Sequence, residues 1–211
     1  MITLRSSCED EMLLEFLAME FYSERFGQDL RDILAETNAD ESLILRGDYH
    51  NAAENTLRRS IMGKFRGYGK DDGVFERFPK NIRWIWARMQ QEDFSKVRYI
   101  TYSYWDMLSN YTGSPIEAGQ AVLNGKIVFD VPNTRFWNTL EALQNSVVFP
   151  ALILLCNAQE ELFYILEGHL RATAYGMAPE LFRDVPAIVG YCDAQQLLSW
   201  YGEMSCAQDY L

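Results

Sequence analysis

The residues of this chain best suited to act together stand in one short run, Glu167-Gly168-His169-Leu170-Arg171, directly after the apolar stretch 163–166. An apolar strand, an acid, a glycine turn and a helix opening on His and Arg make a natural anion site. The first amides of a helix have no partner within it, the helix dipole places partial positive charge there, and glycine lets a phosphate approach the backbone. His169 and Arg171 add side-chain donors, and the planar fork of arginine suits phosphate. Glu167 and His169 are the catalytic candidates. Glu167 is also the candidate ligand for Mg2+, because a hard cation carried by phosphate needs only one or two protein carboxylates. Asp130 could assist. The plainer account pairs Arg171 or Arg135 with Glu167 and makes His169 an ordinary satisfied histidine.

Several elements must position this run. Residues 151–155 form a continuous apolar stretch, the mark of a buried strand, and 162–166 is its neighbour across a turn at 157–160. The helix of the motif covers 170–176. Upstream, 97–102 has the β-branched and aromatic content of a strand, Ser114-Pro115-Ile116-Glu117 starts a helix closed by Gly125, and the loop 130–134 leads into a helix over 136–146. A last strand, 187–191, precedes a final helix, 194–201, ending at Gly202.

These features together resemble the ParB/sulfiredoxin-like superfamily, also called the ParB-like nuclease domain. Glu167-Gly168-His169-Leu170-Arg171-Ala172 resembles its second conserved box, Asn133-Thr134-Arg135 stands where it has Asn-Pro-Arg, Pro150 precedes a strand as in the family, and Val185-Pro186-Ala187-Ile188-Val189 is similar to its closing strand. The resemblance covers roughly residues 97–190. It implies a small mixed β-sheet with flanking helices and a phosphate site built from Gly168, His169, Arg171, Arg135 and Asn133. The superfamily's glycine turn and arginine bind nucleotides or other phosphate groups, in CTP-binding partition proteins, ATP-using sulfiredoxins and a nucleotide-dependent free-serine kinase. This chain departs from the pattern at three places. Thr134 replaces the proline, His-Leu-Arg replaces the double arginine, and no cysteine stands between Gly168 and Arg171, which argues against sulfinic-acid repair. No DNA-reading helix-turn-helix follows, which argues against plasmid partition.

The first 95 residues read as a helical extension packed on an α+β domain spanning 96–211. Apolar spacing predicts helices over 9–26, stopped by Gly27, then over 28–36, 55–64 and 79–90, the last opening on Pro79 and carrying Ile82, Ile85, Trp86 and Met89 on one face. Arg46-Gly47-Asp48-Tyr49-His50 lies between helices, so Arg46 and His50 are further candidates for the site, or Asp48 caps the next helix. The glycine-rich 65–73 lacks the Gly-Lys-Ser/Thr ending of a P-loop and reads as a loop.

A 48% hydrophobic and 14% aromatic content in 211 residues allows a substantial core and excludes a disordered chain. Polar residues directly after Met1, no apolar run near membrane-spanning length, and four scattered cysteines (Cys8, Cys156, Cys192, Cys206) point to a cytoplasmic protein with reduced thiols and no membrane partner. Residues 1–56 hold 4 basic and 13 acidic side chains, 57–88 hold 9 and 3, and 89–211 hold 6 and 14, within a net charge of −11. Nucleic acid is therefore a disfavoured partner, reachable only through the basic block 57–88. The expected activity is binding of a nucleotide, ATP or CTP, or another phosphate ligand, with Mg-dependent phosphoryl transfer or hydrolysis at the Gly168 turn. The alternatives are a nucleic-acid-binding or nuclease-like protein and a non-catalytic interaction scaffold.

Overall fold

The computed structural model describes residues 1–202; Cys206 lies outside them. Among the described residues a mixed six-stranded sheet runs in the order β1-β2-β6-β4-β5-β3. The strands are β1 (Ile2–Ser6), β2 (Arg83–Met89), β3 (Val97–Arg98), β4 (Leu152–Cys156), β5 (Phe163–Glu167) and β6 (Val185–Tyr191). β4 pairs parallel with β6 and antiparallel with β5, β3 pairs parallel with β5, and the β1–β2 and β2–β6 pairs are antiparallel.

Both faces of the sheet are covered, and strand periodicity decides which residue goes where. Leu152, Leu154 and Cys156 of β4 face one core, which receives α5 (Ser103–Leu108), α6 (Pro115–Leu123), α7 (Thr134–Gln144) and α8 (His169–Met177). Ile153 and Leu155 face the other, formed by α1 (Glu9–Phe21), α2 (Gly27–Glu36), α3 (Ser42–Leu45), α4 (Ala52–Phe65) and α9 (Ala194–Gly202). The α+β class and the mixed sheet with flanking helices are as expected, and no described helix is long and apolar enough to cross a membrane.

The N-terminal part is not purely helical. The expected helix 79–90 is instead β2, at the heart of one half of the sheet. Ile85, Ala87 and Met89 enter one core while Trp84 and Trp86 enter the other, so the segment alternates with period two. Its helical spacing is a coincidence of four apolar residues, and Asn81, at φ 57°, ends any helix begun at Pro79. β1, unforeseen at Ile2-Thr3-Leu4-Arg5-Ser6, is an edge strand whose side chains all lie exposed. The sheet therefore takes strands from both sides of residue 95.

Smaller differences have local causes. Gly27 does not stop a helix; it opens α2, where a Cβ would come 2.7 Å from the Phe21 carbonyl oxygen. The helix 52–65 is capped by Asn51, whose side chain accepts from the amides of Ala53 and Glu54, whereas Asp48 accepts from the His50 amide. β3 has only two residues, because the following segment turns into α5.

α8 packs on α6 through an all-glycine contact. A Cβ on Gly176 would lie 1.9 Å from the Pro115 carbonyl oxygen, and one on Gly119 2.1 Å from the carbonyl carbon of Gly176. Backbones this close tolerate no side chain, and they fix α8, hence the Gly168 turn, against the helical layer.

Candidate anion site at the Gly168 turn

Gly168 is the residue before α8 and holds φ 110°, a left-handed conformation in which a side chain would be strained; a Cβ there would stand 2.5 Å from Leu152 Cδ2. The Ala172 amide donates to the Gly168 carbonyl at 2.9 Å, and no side chain caps the helix start. The amides of the first turn, His169 to Arg171, are thus the free donors of this helix end.

Arg171 sits behind the turn, only 8% exposed. Its Nη1 donates to the Pro150 and Ala151 carbonyls, and its Nη2 lies 3.4 Å from Glu167 Oε1 and 2.9 Å from Met19 Sδ. The expected phosphate fork is therefore turned inward. It ties the entry of β4 to α8 and to α1, the plainer of the two readings of Arg171, and it contributes charge to the site without offering a free edge.

Three other arginines stand around the turn. Arg66, in the turn after α4, is ion-paired with the buried Glu20 of α1 and lies over the Phe26 ring at 3.8 Å. Burial and then the charges of Arg66 and Arg135 hold Arg25 below its ordinary value, so Arg25 lies within reach of the fields of both. Arg135, on the first turn of α7, is half-buried, and no described residue bonds or pairs with its guanidinium. Its charge acts on Tyr104, whose hydroxyl is buried without a partner.

His169 completes the group. Its ring stacks on Trp105 at 5.2 Å and on Tyr99 at 5.7 Å, and Tyr99 is held by a 2.7 Å hydrogen bond to Thr173. Its Nε2 is buried with no partner. Burial, reinforced by Arg66 and Arg171, pushes its imidazole down to about 3, so the ring is neutral at physiological pH. It can give or take one hydrogen bond but carries no charge.

Two carboxylates oppose the arginines. Burial, then the charge of Glu167, pushes Glu20 up to about 7 even though Arg66 is bonded to it. Among the described residues no cluster of three or more His, Cys, Asp or Glu could hold a metal ion. Glu167 and Glu20 are the carboxylates that would face a magnesium ion carried in by a phosphate and keeping most of its waters.

Buried polar atoms normally find partners, so Arg66 Nε, Tyr104 Oη, His169 Nε2 and Asn133 Oδ1, all buried and unpartnered, call for an explanation. Asn133 directly precedes α7; its amide donates to the Lys126 carbonyl at 2.7 Å and it does not cap the helix. Of the expected site, Glu167, Gly168, His169 and Arg171 come together, while Arg135 stands at the start of α7, its charge reaching Tyr104 beside the Trp105 ring that stacks on His169. Arg46 and His50 do not join them. Both are exposed, His50 stacks on Tyr49, and their loop is organised by the buried Arg58, which bonds the Leu43 and Asp48 carbonyls. Asp130 is exposed in a loop. Sequence reasoning missed Glu20, Arg25, Arg66 and Tyr104, which no local spacing connects with Gly168.

Four of the nine basic side chains in the block 57–88 are ion-paired with described residues of the fold. Arg58 pairs with Glu54, Arg59 with Asp10, Lys64 with Glu36 and Arg66 with Glu20. The chain matches no protein-family model, no curated protein and no solved structure.

Proposed function

We propose that the Gly168 turn binds the phosphate of a small ligand, a nucleotide such as ATP or CTP in the reading that the ParB/sulfiredoxin resemblance favours. One observation carries this. In a chain of net charge −11, the charges of Arg66 and Arg171 fall on His169 at an uncapped helix start, Arg25 lies in the fields of Arg66 and Arg135, and the carboxylates that act on Arg171 and Arg25 are Glu20 and Glu167. Glu20 is near half-protonated at neutral pH, so the site carries net positive charge where an anion would complete it.

In this reading Arg135 meets the phosphate directly, the amides of His169 to Arg171 cradle it, and neutral His169 donates or accepts one hydrogen bond. Arg171 is a positioning residue that holds the turn through Pro150 and Ala151. Phosphoryl transfer or hydrolysis suits such a site, since that chemistry is mostly positioning and charge neutralisation. Glu167 is then the candidate base, and magnesium, when bound with the phosphate, would supply further neutralisation between Glu167 and Glu20. The internal pairing of the basic block speaks against nucleic acid as the main partner.

The test is thermal shift with ATP, ADP, CTP and GTP, with and without magnesium, on wild type and Arg135→Gln. A ligand at ~100 times its dissociation constant adds about 2.7 kcal/mol of apparent stability. The reading expects a rise for at least one nucleotide that Arg135→Gln abolishes while the unliganded melting temperature stays put, since Arg135 has no partner among the described residues to lose. Unchanged melting with all four nucleotides refutes it.

A further inference from the structure

A second site lies beyond Arg171, at the same end of the sheet. A cleft of about 510 Å3 opens between the loop after α7, the loop before β6 and Arg88 of β2, with Arg171 at its back. Its walls are apolar, among them Val147, Val148, Phe149, Leu181 and Tyr175. Val148 is 87% exposed and Val147 50%, an unusual display for two adjacent branched residues. They are held there by the end of α7, where Ser146 takes φ 59° and the Val147 amide donates to the Ala142 carbonyl at 3.0 Å, a closed helix terminus.

The rim is cationic. The guanidinium of Arg183 is exposed and has no ion pair or hydrogen bond among the described residues, and Arg88 spends one donor on the Asp184 carbonyl at 3.1 Å. Asp184 also lines the cleft; its carboxylate accepts from the neutral Gln90 amide at 2.9 Å, and its formal charge offsets one of the two cations, so the rim is left with one net positive charge. Apolar walls under two cations with spare donors select a molecule with an apolar body and one anionic head.

We propose that this cleft binds a small amphipathic monoanion, with the hydrocarbon or aromatic body against Val147, Val148 and Phe149 and the carboxylate, sulfonate or phosphate head on Arg183 and Arg88. The site is separate from the phosphate reading of the Gly168 turn and does not rest on it.

The test is a fluorescence titration with 1-anilinonaphthalene-8-sulfonate, which has such a body and head, beside uncharged N-phenyl-1-naphthylamine. Wild type, Val148→Asp, Arg183→Glu and Arg135→Gln are compared, with octanoate as competitor. The first two altered residues are exposed, so near-native melting temperatures are expected. The sulfonate probe should bind one per chain and be displaced by octanoate. Each of the two cleft substitutions should weaken it at least about tenfold, as reversal of a contacting charge or burial of a carboxylate on an apolar wall does. Arg135→Gln should change nothing, which separates this cleft from the Gly168 turn. Equal affinity for the charged and uncharged probes, or a sulfonate affinity that Arg183→Glu leaves unmoved, overturns the proposal.

Discussion

Replacing His169 by Phe tests whether the turn holds a neutral, buried imidazole. Phe keeps an aromatic ring against the stacked Tyr99 and Trp105 and removes the imidazole. The folded protein pushes His169 down to about 3, against an ordinary value of 6.5. The unfolded chain takes up the proton first, so this group's contribution is intact above pH 6.5 and is lost as pH falls from there toward 3. At about 1.36 kcal/mol per unit, roughly 2 kcal/mol is lost between pH 6.5 and pH 5. Glu20 works in the other sense. Its folded value of about 7 lies above the ordinary 4.5, so its contribution is intact below 4.5 and is lost as pH rises through 7. Lowering the pH from 7 to 5 therefore returns about 2 to 3 kcal/mol through Glu20 and withdraws about 2 through His169, and wild type changes little over that range on their account. The informative quantity is the difference between variant and wild type, measured by urea unfolding at pH 7.5 and pH 5. His169→Phe should gain about 2 kcal/mol on wild type as the pH is lowered. A difference equal at the two pH values within about 0.5 kcal/mol, the usual reproducibility of such comparisons, refutes a buried neutral His169.

Other outcomes follow from the same geometry. Glu20→Gln removes the opposing titration, so its stability relative to wild type should rise between pH 5 and pH 7.5 by about 2 to 3 kcal/mol, read from the same unfolding curves. Gly168→Ala must place a Cβ against Leu152 at a left-handed φ, and a loss of about 3 kcal/mol, or roughly 10 °C in Tm by calorimetry, is expected. Gly176→Ala drives a methyl into the Pro115 carbonyl and should cost about 3 kcal/mol in urea unfolding while lowering any nucleotide response through the displaced turn. Arg66→Met leaves Glu20 buried without its cation and should cost about 3 kcal/mol at pH 8, with much of the loss recovered at pH 5, where the carboxyl is protonated.

The amino-acid sequence by itself determined the local pieces of this protein. The apolar runs around 152–156 and 163–167, the proline opening α6, the glycine before α8 and the helices α7 and α8 themselves each read correctly, because burial pattern and turn chemistry are properties of neighbouring residues. Residues 83–89 did not, since Ile82, Ile85, Trp86 and Met89 satisfy a helical period although Ile85 and Met89 face one core and Ile82 and Trp86 the other, and only pairing with β1 on one side and β6 on the other decides for the strand. The site divides the same way. Gly168, His169 and the acid beside them were legible as a helix start. The role of Arg171 depended on Met19, 152 residues away, and on two carbonyls at the entry of β4, which turn its fork inward. Arg66 reaches Glu20 across 46 residues, and Arg25 comes into the fields of Arg66, Arg135 and Glu20 only once the chain is folded. Charge acts through space over several ångströms and sequence spacing carries no record of it, so the positive site in an acidic chain belongs to the tertiary structure alone.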